Sequence, residues 1–238
     1  MQETDVALMG AHDRSYWWHV ARRLVWRSVL DKWLSPIPNR KILDIGCGSG
    51  INLEFLRRWG LVVGIDQSEA ALASAKQYGA VERGDALNLP RPNETVDLIT
   101  AFDVLEHLPD DQSALKEWGR VLRSGGYVAI SVPAYQWLYG PHDKVLLHQR
   151  RYALDELAGK LSRAGFKPIF SSYVFMFTFP IFLAQRSLTR SLNQGAGYNL
   201  APPMINRLLI GLGSLEAMLV KFISLPFGSS VFILAEKV

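Results

Sequence analysis

The stretch LDIGCGSG, residues 43–50, sets Gly46, Gly48 and Gly50 between an apolar run and a helix-forming one. Glycine accepts left-handed backbone and leaves no Cβ in the way of a ligand lying across the turn. A helix starting here aims its first N–H groups and its positive dipole end at that ligand. The spacing reads Asp44-x-Gly46-x-Gly48-x-Gly50, whereas the dinucleotide fingerprint G-x-G-x-x-G would need glycine where Ile51 stands. A nicotinamide oxidoreductase is disfavoured on that spacing. Downstream, LVVGID (61–66) ends in Asp66, placed where a carboxylate can hold both hydroxyls of a ribose.

Outward from the turn, β-rich runs alternate with helical ones. KILDIG (41–46), LVVGID (61–66), VDLITAF (96–102) and YVAISVP (127–133) read as strands, with helices near Ile51–Trp59, Glu69–Tyr78 and Gln112–Leu122. A further helix, Leu154–Ala164, stops at Gly165, and FKPIFSSYVF (166–175) and SVFILAEKV (230–238) close the pattern. Strands separated by helices predict right-handed crossovers and a parallel sheet covered on both faces, in which strands carry nearly unbroken apolar runs.

Two segments stand outside the alternation. Residues 1–40 contain a helix whose apolar positions Leu24, Val25, Val29, Leu30 and Trp33 recur at helical spacing, ended by Pro36 and Pro38. Residues 177–228 hold a Gly/Asn/Pro break and a helix from Met204 to Leu225, on which Leu208, Leu209, Leu212, Leu215, Leu219 and Phe222 form one stripe and Arg207, Glu216 and Lys221 the other side. The expected division is 1–40 as a helical lid, 41–176 with 229–238 as the α/β domain, and 177–228 as a helical insertion.

Composition sets limits. The 238 residues are 49% hydrophobic and 20% charged, which is globular, and one cysteine, Cys47, excludes an intramolecular disulfide or a cysteine-built zinc cluster. The net charge of +4 is spread over separated basic doublets, so no nucleic-acid surface is expected. MQETDVALMG has no basic stretch leading into an apolar core, so no secretory signal is expected and the protein is assigned to the cytoplasm.

DIGCGSG, the acid of GIDQS, GDALNLP (84–90), DLITAFDVLEHL (97–108) and LRSGGYVAISVP (122–133), in that order, resemble class I S-adenosylmethionine-dependent methyltransferases. The resemblance covers residues 41 to about 172. It implies a Rossmann-like α/β fold with a seven-stranded, mostly parallel sheet whose last strand is antiparallel, and S-adenosylmethionine as cofactor. By position it implies that Gly46, Gly48 and Gly50 approach the methionine part and that Asp44 braces the turn. Asp66 would hold the ribose, with Gln67 near the adenine, Asp85 at its amino group and Ala86 offering a backbone N–H. Phe102 and Asp103 would border the methionine end. Trp17 would close over the cofactor, with Arg22 or Arg23 reaching its carboxylate. The N/D-P-P-Y/F of the family's amino-methylating members is replaced by Phe102-Asp103-Val104, which disfavours nucleobase acceptors.

Methyl transfer asks mainly for positioning, worth about 7–11 kcal/mol, and for a base when the acceptor is a hydroxyl. The candidates are His107, which with Glu106 follows the fourth strand, and His142, His148 and Tyr152 in the loop after the fifth. Glu106 alternatively pairs with an arginine. His142, Asp143 and His148 could supply metal ligands, but a base, an anion clamp or a purely structural loop is favoured, and no metal site is assigned. The expected acceptor is a small-molecule or lipid-like oxygen or nitrogen nucleophile. RNA or protein acceptors, and a non-catalytic S-adenosylmethionine binder, are the alternatives. The insertion reads as an acceptor pocket, a homodimer interface, a peripheral membrane helix or extra core.

Overall fold

The computed structural model describes residues 14–184 and 201–238. In chain order its elements are α1 (Trp17–Trp33), β1 (Lys41–Ile45), α2 (Ile51–Leu56), β2 (Leu61–Asp66), α3 (Glu69–Ala75), β3 (Ala80–Arg83), β4 (Val96–Phe102), α4 (Asp111–Val121), β5 (Leu122–Pro133), α5 (Pro141–Val145), α6 (Leu154–Arg163), β6 (Phe166–Val174), α7 (Pro203–Leu219) and β7 (Ser230–Lys237). The seven strands form one sheet in the order β3-β2-β1-β4-β5-β7-β6. Pairs β1–β2, β1–β4, β2–β3 and β4–β5 are parallel, and β7 runs antiparallel to both β5 and β6. This is the expected Rossmann-like architecture. The strand β3 was not read from the sequence: AVER is four residues long, with both ends exposed, and shows no apolar run.

Both faces of the sheet are covered. On one, Trp118, Leu115 and Val121 of α4 and Leu157 and Leu161 of α6 pack against Leu43, Ile99, Ile130 and Ile233. On the other, α1 lays Val25, Trp26, Val29 and Leu30 over Leu98, Ala129 and Phe232. Three of those α1 side chains are 0% exposed, so α1 is part of the covering layer. Within the segment expected as a helical lid, α1 thus covers one face of the sheet. Trp33, expected on the buried face, is instead 40% exposed.

Of the apolar stripe read from the sequence, α7 buries Leu209 and leaves Leu212 and Leu219 half-buried. Its buried face is Leu209, Gly213, Glu216 and Ala217, while Met204, Leu208, Leu215 and Phe222 are 81%, 64%, 42% and 82% exposed. Small residues let α7 approach α1 closely, since a Cβ on Gly213 would stand 2.5 Å from the Cβ of Ala21. Glu216, expected on the solvent side, is buried and accepts hydrogen bonds from the backbone N–H groups of Phe175 and Phe177. Asn206 completes the junction by accepting from the Trp17 N–H at 2.8 Å and donating to the Ser15 carbonyl at 2.9 Å. The GAGYNLAPP break falls largely outside the described residues. Among the described residues no helix is long and apolar enough to cross a membrane.

Candidate active site

A cavity of about 1260 Å³ opens beyond the carboxyl ends of β1, β2, β4 and β5, where ligands of open α/β sheets gather. Its floor begins at the glycine turn. Gly46, Gly48 and Gly50 all have positive φ, at 64°, 54° and 85°, a region that disfavours any side chain with a Cβ. The three are not equivalent. Gly46 and Gly48 line the cavity, with Cys47, Ser49 and Asn52 beside them. Gly50, expected to approach the ligand, serves packing: a Cβ there would lie 2.6 Å from Ala75 of α3.

Asp66 locks the turn. Its Oδ2 accepts from the Gly48 N–H at 3.0 Å and its Oδ1 from the Ser68 N–H at 2.9 Å. A carboxylate has about four acceptor positions, so two remain for ligand hydroxyls. Ser68 in turn caps α3 by accepting from the Ala71 N–H. Gln67, Asp85 and Ala86 follow on the same wall. Asp85 accepts from the Leu87 N–H at 2.9 Å, and the Ala86 carbonyl accepts from the Trp118 indole at 2.9 Å. Asp44 lies beneath the turn, 1% exposed and off the cavity surface, with one oxygen accepting from the Thr100 hydroxyl at 2.6 Å. Burial pushes its carboxyl up to about 7, against a milder lowering by the Thr100 bond.

At the β4 end, Phe102 stacks on Trp26 with ring centroids 3.9 Å apart. Asp103, at φ 56°, turns its carboxylate to an ion pair with Arg22, whose guanidinium also stands 4.6 Å from the Trp26 ring centre. Tyr16, Trp17, Trp18 and Arg22 of the α1 end line the cavity. The expected contribution of this segment to a ligand wall is therefore geometrically available.

The opposite wall carries the titratable groups. Glu106 is fully buried, and neither of its carboxylate oxygens has a hydrogen-bond partner. Burial pushes it up to about 8, despite lowering by its own backbone and by Arg22 and Arg151. The expected arginine pairing is not made; Arg22 pairs with Asp103 and Arg151 with Asp143. His107 packs edge-on to His148 with ring centroids 4.7 Å apart, and desolvation followed by the charge of His148 lowers it to about 4. His148 Nδ1 lies 3.0 Å from Asp143 Oδ1. Asp143, 0% exposed, also accepts from Arg151 Nε at 2.7 Å and from the Gly140 N–H at 2.9 Å. His142 stands exposed at the cavity edge.

Tyr152 is a correction. It is fully buried away from the cavity, and its hydroxyl bonds the Leu105 carbonyl and Asp111 Oδ2 at 3.0 Å. Burial and the neighbouring Asp111 raise its pKa, so it stays a neutral donor that anchors the loop. The sequence pattern placed it beside Arg151, but one residue of register along extended chain turns the side chain to the other side. Thr178, Ile181, Phe182 and Leu209, from beyond β6 and from α7, complete the cavity with an apolar wall. These residues lie in the insertion offered from sequence as an acceptor pocket among other roles; none was singled out as a site residue, because the apolar pattern was equally that of core.

Residues 43–130 match a protein family described as a methyltransferase domain. A Mycolicibacterium smegmatis protein named a probable S-adenosylmethionine-dependent methyltransferase is 32% identical over 171 residues, covering 66% of this chain and 62% of that protein. A Hahella chejuensis ubiquinone biosynthesis O-methyltransferase is 36% identical over 99 residues, covering 37% of this chain and 41% of that one. The chain thus spans about two-fifths to three-fifths of the length of these relatives. Among solved structures, an S-adenosylmethionine-dependent methyltransferase from Mesorhizobium loti superposes with a TM-score of 0.61 at 17% identity, over 90% of this chain and 98% of that one.

Proposed function

We propose that this chain, whose residues 43–130 match a methyltransferase domain family, is a class I S-adenosylmethionine-dependent methyltransferase that transfers a methyl group from S-adenosylmethionine to an oxygen or nitrogen of a small, lipid-like acceptor. The observation that carries the reading is the cavity itself. At about 1260 Å³ it exceeds the ~300–1,000 Å³ that one small ligand commonly fills, so it has room for a cofactor and an acceptor together. Its two halves differ chemically. The half beside the glycine turn, Asp66 and Asp85 offers polar groups suited to an adenosyl ligand, and the half beside Ile181, Phe182 and Leu209 is apolar.

In this reading Asp66 accepts the ribose hydroxyls, the turn at Gly46 and Gly48, which has no Cβ in the way, lies against the methionine part, and Phe102 with Trp17 walls it in. The sulfonium methyl then points at the wall of Glu106, His107 and His148, where the nucleophile binds. His107, held neutral, and His148, oriented by Asp143, are the groups within reach of an acceptor proton, with His142 at the rim. The apolar wall supports an acceptor with a hydrocarbon part, in keeping with relatives named for quinone methylation.

The test is transfer of labelled methyl from S-adenosylmethionine to a panel of isoprenoid-tailed phenols and amines, with RNA and protein extracts in parallel. Label in the solvent-extractable product is the expected result. Label only in acid-precipitable material would overturn the small-acceptor reading in favour of a macromolecular one.

A further inference from the structure

We propose that Glu106, His107 and His148 form a binding site for one divalent transition-metal ion in the wall of the cavity. Each residue offers one ligand atom, and the three atoms lie within 4.8 Å of one another. In a four- to six-coordinate site with bonds of about 2.0–2.2 Å, ligand atoms stand about 3–3.5 Å apart, so small side-chain rotations close the set around an ion.

Three further observations point to a cation. First, the Glu106 carboxylate is 0% exposed, and both its oxygens lack a hydrogen-bond partner. A buried carboxylate without donors is costly, and the nearby arginines direct their guanidinium groups to Asp103 and Asp143 instead. Second, His148 is oriented as ligating histidines are. Its Nδ1 meets Asp143 at 3.0 Å, and Asp143 is fixed by Arg151 and Gly140, which turns Nε2 toward Glu106 Oε1 at 4.0 Å. A carboxylate behind a ligating imidazole fixes its tautomer and strengthens the donor nitrogen. Third, the chain brings the two halves of the set together by main-chain bonding: the Gln149 N–H donates to the Glu106 carbonyl at 2.7 Å.

The set is two imidazoles and one carboxylate, on a cavity wall that leaves further coordination positions open. That composition suits Zn²⁺, Fe²⁺, Co²⁺ or Mn²⁺ better than Mg²⁺ or Ca²⁺, which prefer oxygen. It differs from the set His142, Asp143 and His148 considered from spacing, because Asp143 is spent on Arg151 and on orienting His148. Resting on the methyltransferase reading, the ion would take over the part given to the histidines as bases: with their lone pairs on the metal, it would take an acceptor hydroxyl into its open position and that proton would pass to water. The oxygen would then form its bond to the methyl carbon as the carbon–sulfur bond breaks with its electron pair going to sulfur.

The experiment uses the full chain after chelator treatment and gel filtration, without S-adenosylmethionine. Zn²⁺ is titrated by calorimetry, and Co²⁺ by the appearance of visible d–d absorption. The expected result is one equivalent bound per chain, with affinity lowered at least tenfold in Glu106→Gln and in His148→Ala, and about 10–100-fold in Asp143→Asn, but unchanged in His142→Ala. Thermal melts confirm folding, and His107→Asn is the second ligand variant should one of the others fail to fold. Substoichiometric binding, or binding that none of the ligand variants weakens, would overturn the site. S-adenosylhomocysteine binding measured on the same metal-free samples separates the two claims: its retention without metal binding would remove the ion and leave the methyltransferase reading standing.

Discussion

At the scale of single residues, the site depends on carboxylates whose surroundings differ sharply. Asp66 is a shared acceptor at the cavity surface, bonded to Gly48 and Ser68. Asp44, two residues before the turn, is buried with its second oxygen unsatisfied and its carboxyl pushed up to about 7. A carboxyl raised in this way binds its proton more tightly folded than unfolded. It therefore contributes stability below its unfolded value of 3.8 that is lost as pH rises through the folded value of about 7. The shift corresponds to about 4 kcal/mol. Urea unfolding from pH 4 to pH 8 should show a steeper fall for the wild type than for Asp44→Asn, by an amount of that order. Parallel curves would mean that Asp44 is charged and solvated in the folded protein.

At the scale of elements, α1 and α7 make one layer. Gly213 lets the helices approach, Asn206 ties the start of α1, and Glu216 collects the N–H groups of Phe175 and Phe177 where the chain leaves β6 at a positive φ of 66°. Replacing Glu216 by alanine would leave the buried Phe175 N–H and the half-buried Phe177 N–H without acceptors, at about 1–3 kcal/mol for the first and about 1–2 kcal/mol for the second. Denaturant unfolding of Glu216→Ala should accordingly lose about 2–5 kcal/mol, and a loss below 1 kcal/mol would contradict this account of the junction. The junction also shows where sequence reasoning failed. A leucine stripe with charges opposite is ordinarily read as the buried face, yet here Leu209 alone of the stripe is fully buried, beside Gly213, Ala217 and the acid Glu216, and at Gly213 α1 approaches too closely for any side chain. By contrast the strands β1, β2, β4 and β7 were legible, since a strand buried on both faces carries an apolar run that competes with no other reading. Four-residue β3 has no such run, and only the family resemblance implied it. The turn and Asp66 were readable from spacing. Gly50 and Tyr152 were misplaced because motif spacing does not say which side of the chain meets the cavity.

At the scale of the whole molecule, one cavity meets four parts of the chain: the glycine turn, the loop after β5, the apolar strap after β6 and Leu209 of α7. The outward stripe of α7 and the turn after it, with Leu208 and Phe222 exposed, begins beside Leu209 of the cavity wall. A hydrocarbon tail leaving the apolar half would lie along it. Leu208→Ser with Phe222→Ser should therefore leave the melting temperature unchanged while raising KM for a long-tailed acceptor severalfold more than for its short-tailed analogue. Equal effects on both acceptors would dissociate the stripe from substrate.

The central claim is that the glycine turn and Asp66 hold an adenosyl ligand at the carboxyl ends of β1 and β2. Calorimetric titration with S-adenosylhomocysteine, on the wild type and on Asp66→Ala checked for folding by circular dichroism, tests it most directly. The account predicts saturable micromolar binding by the wild type and a loss of at least tenfold in the variant. Absence of binding by the wild type, or equal binding by both, would contradict it.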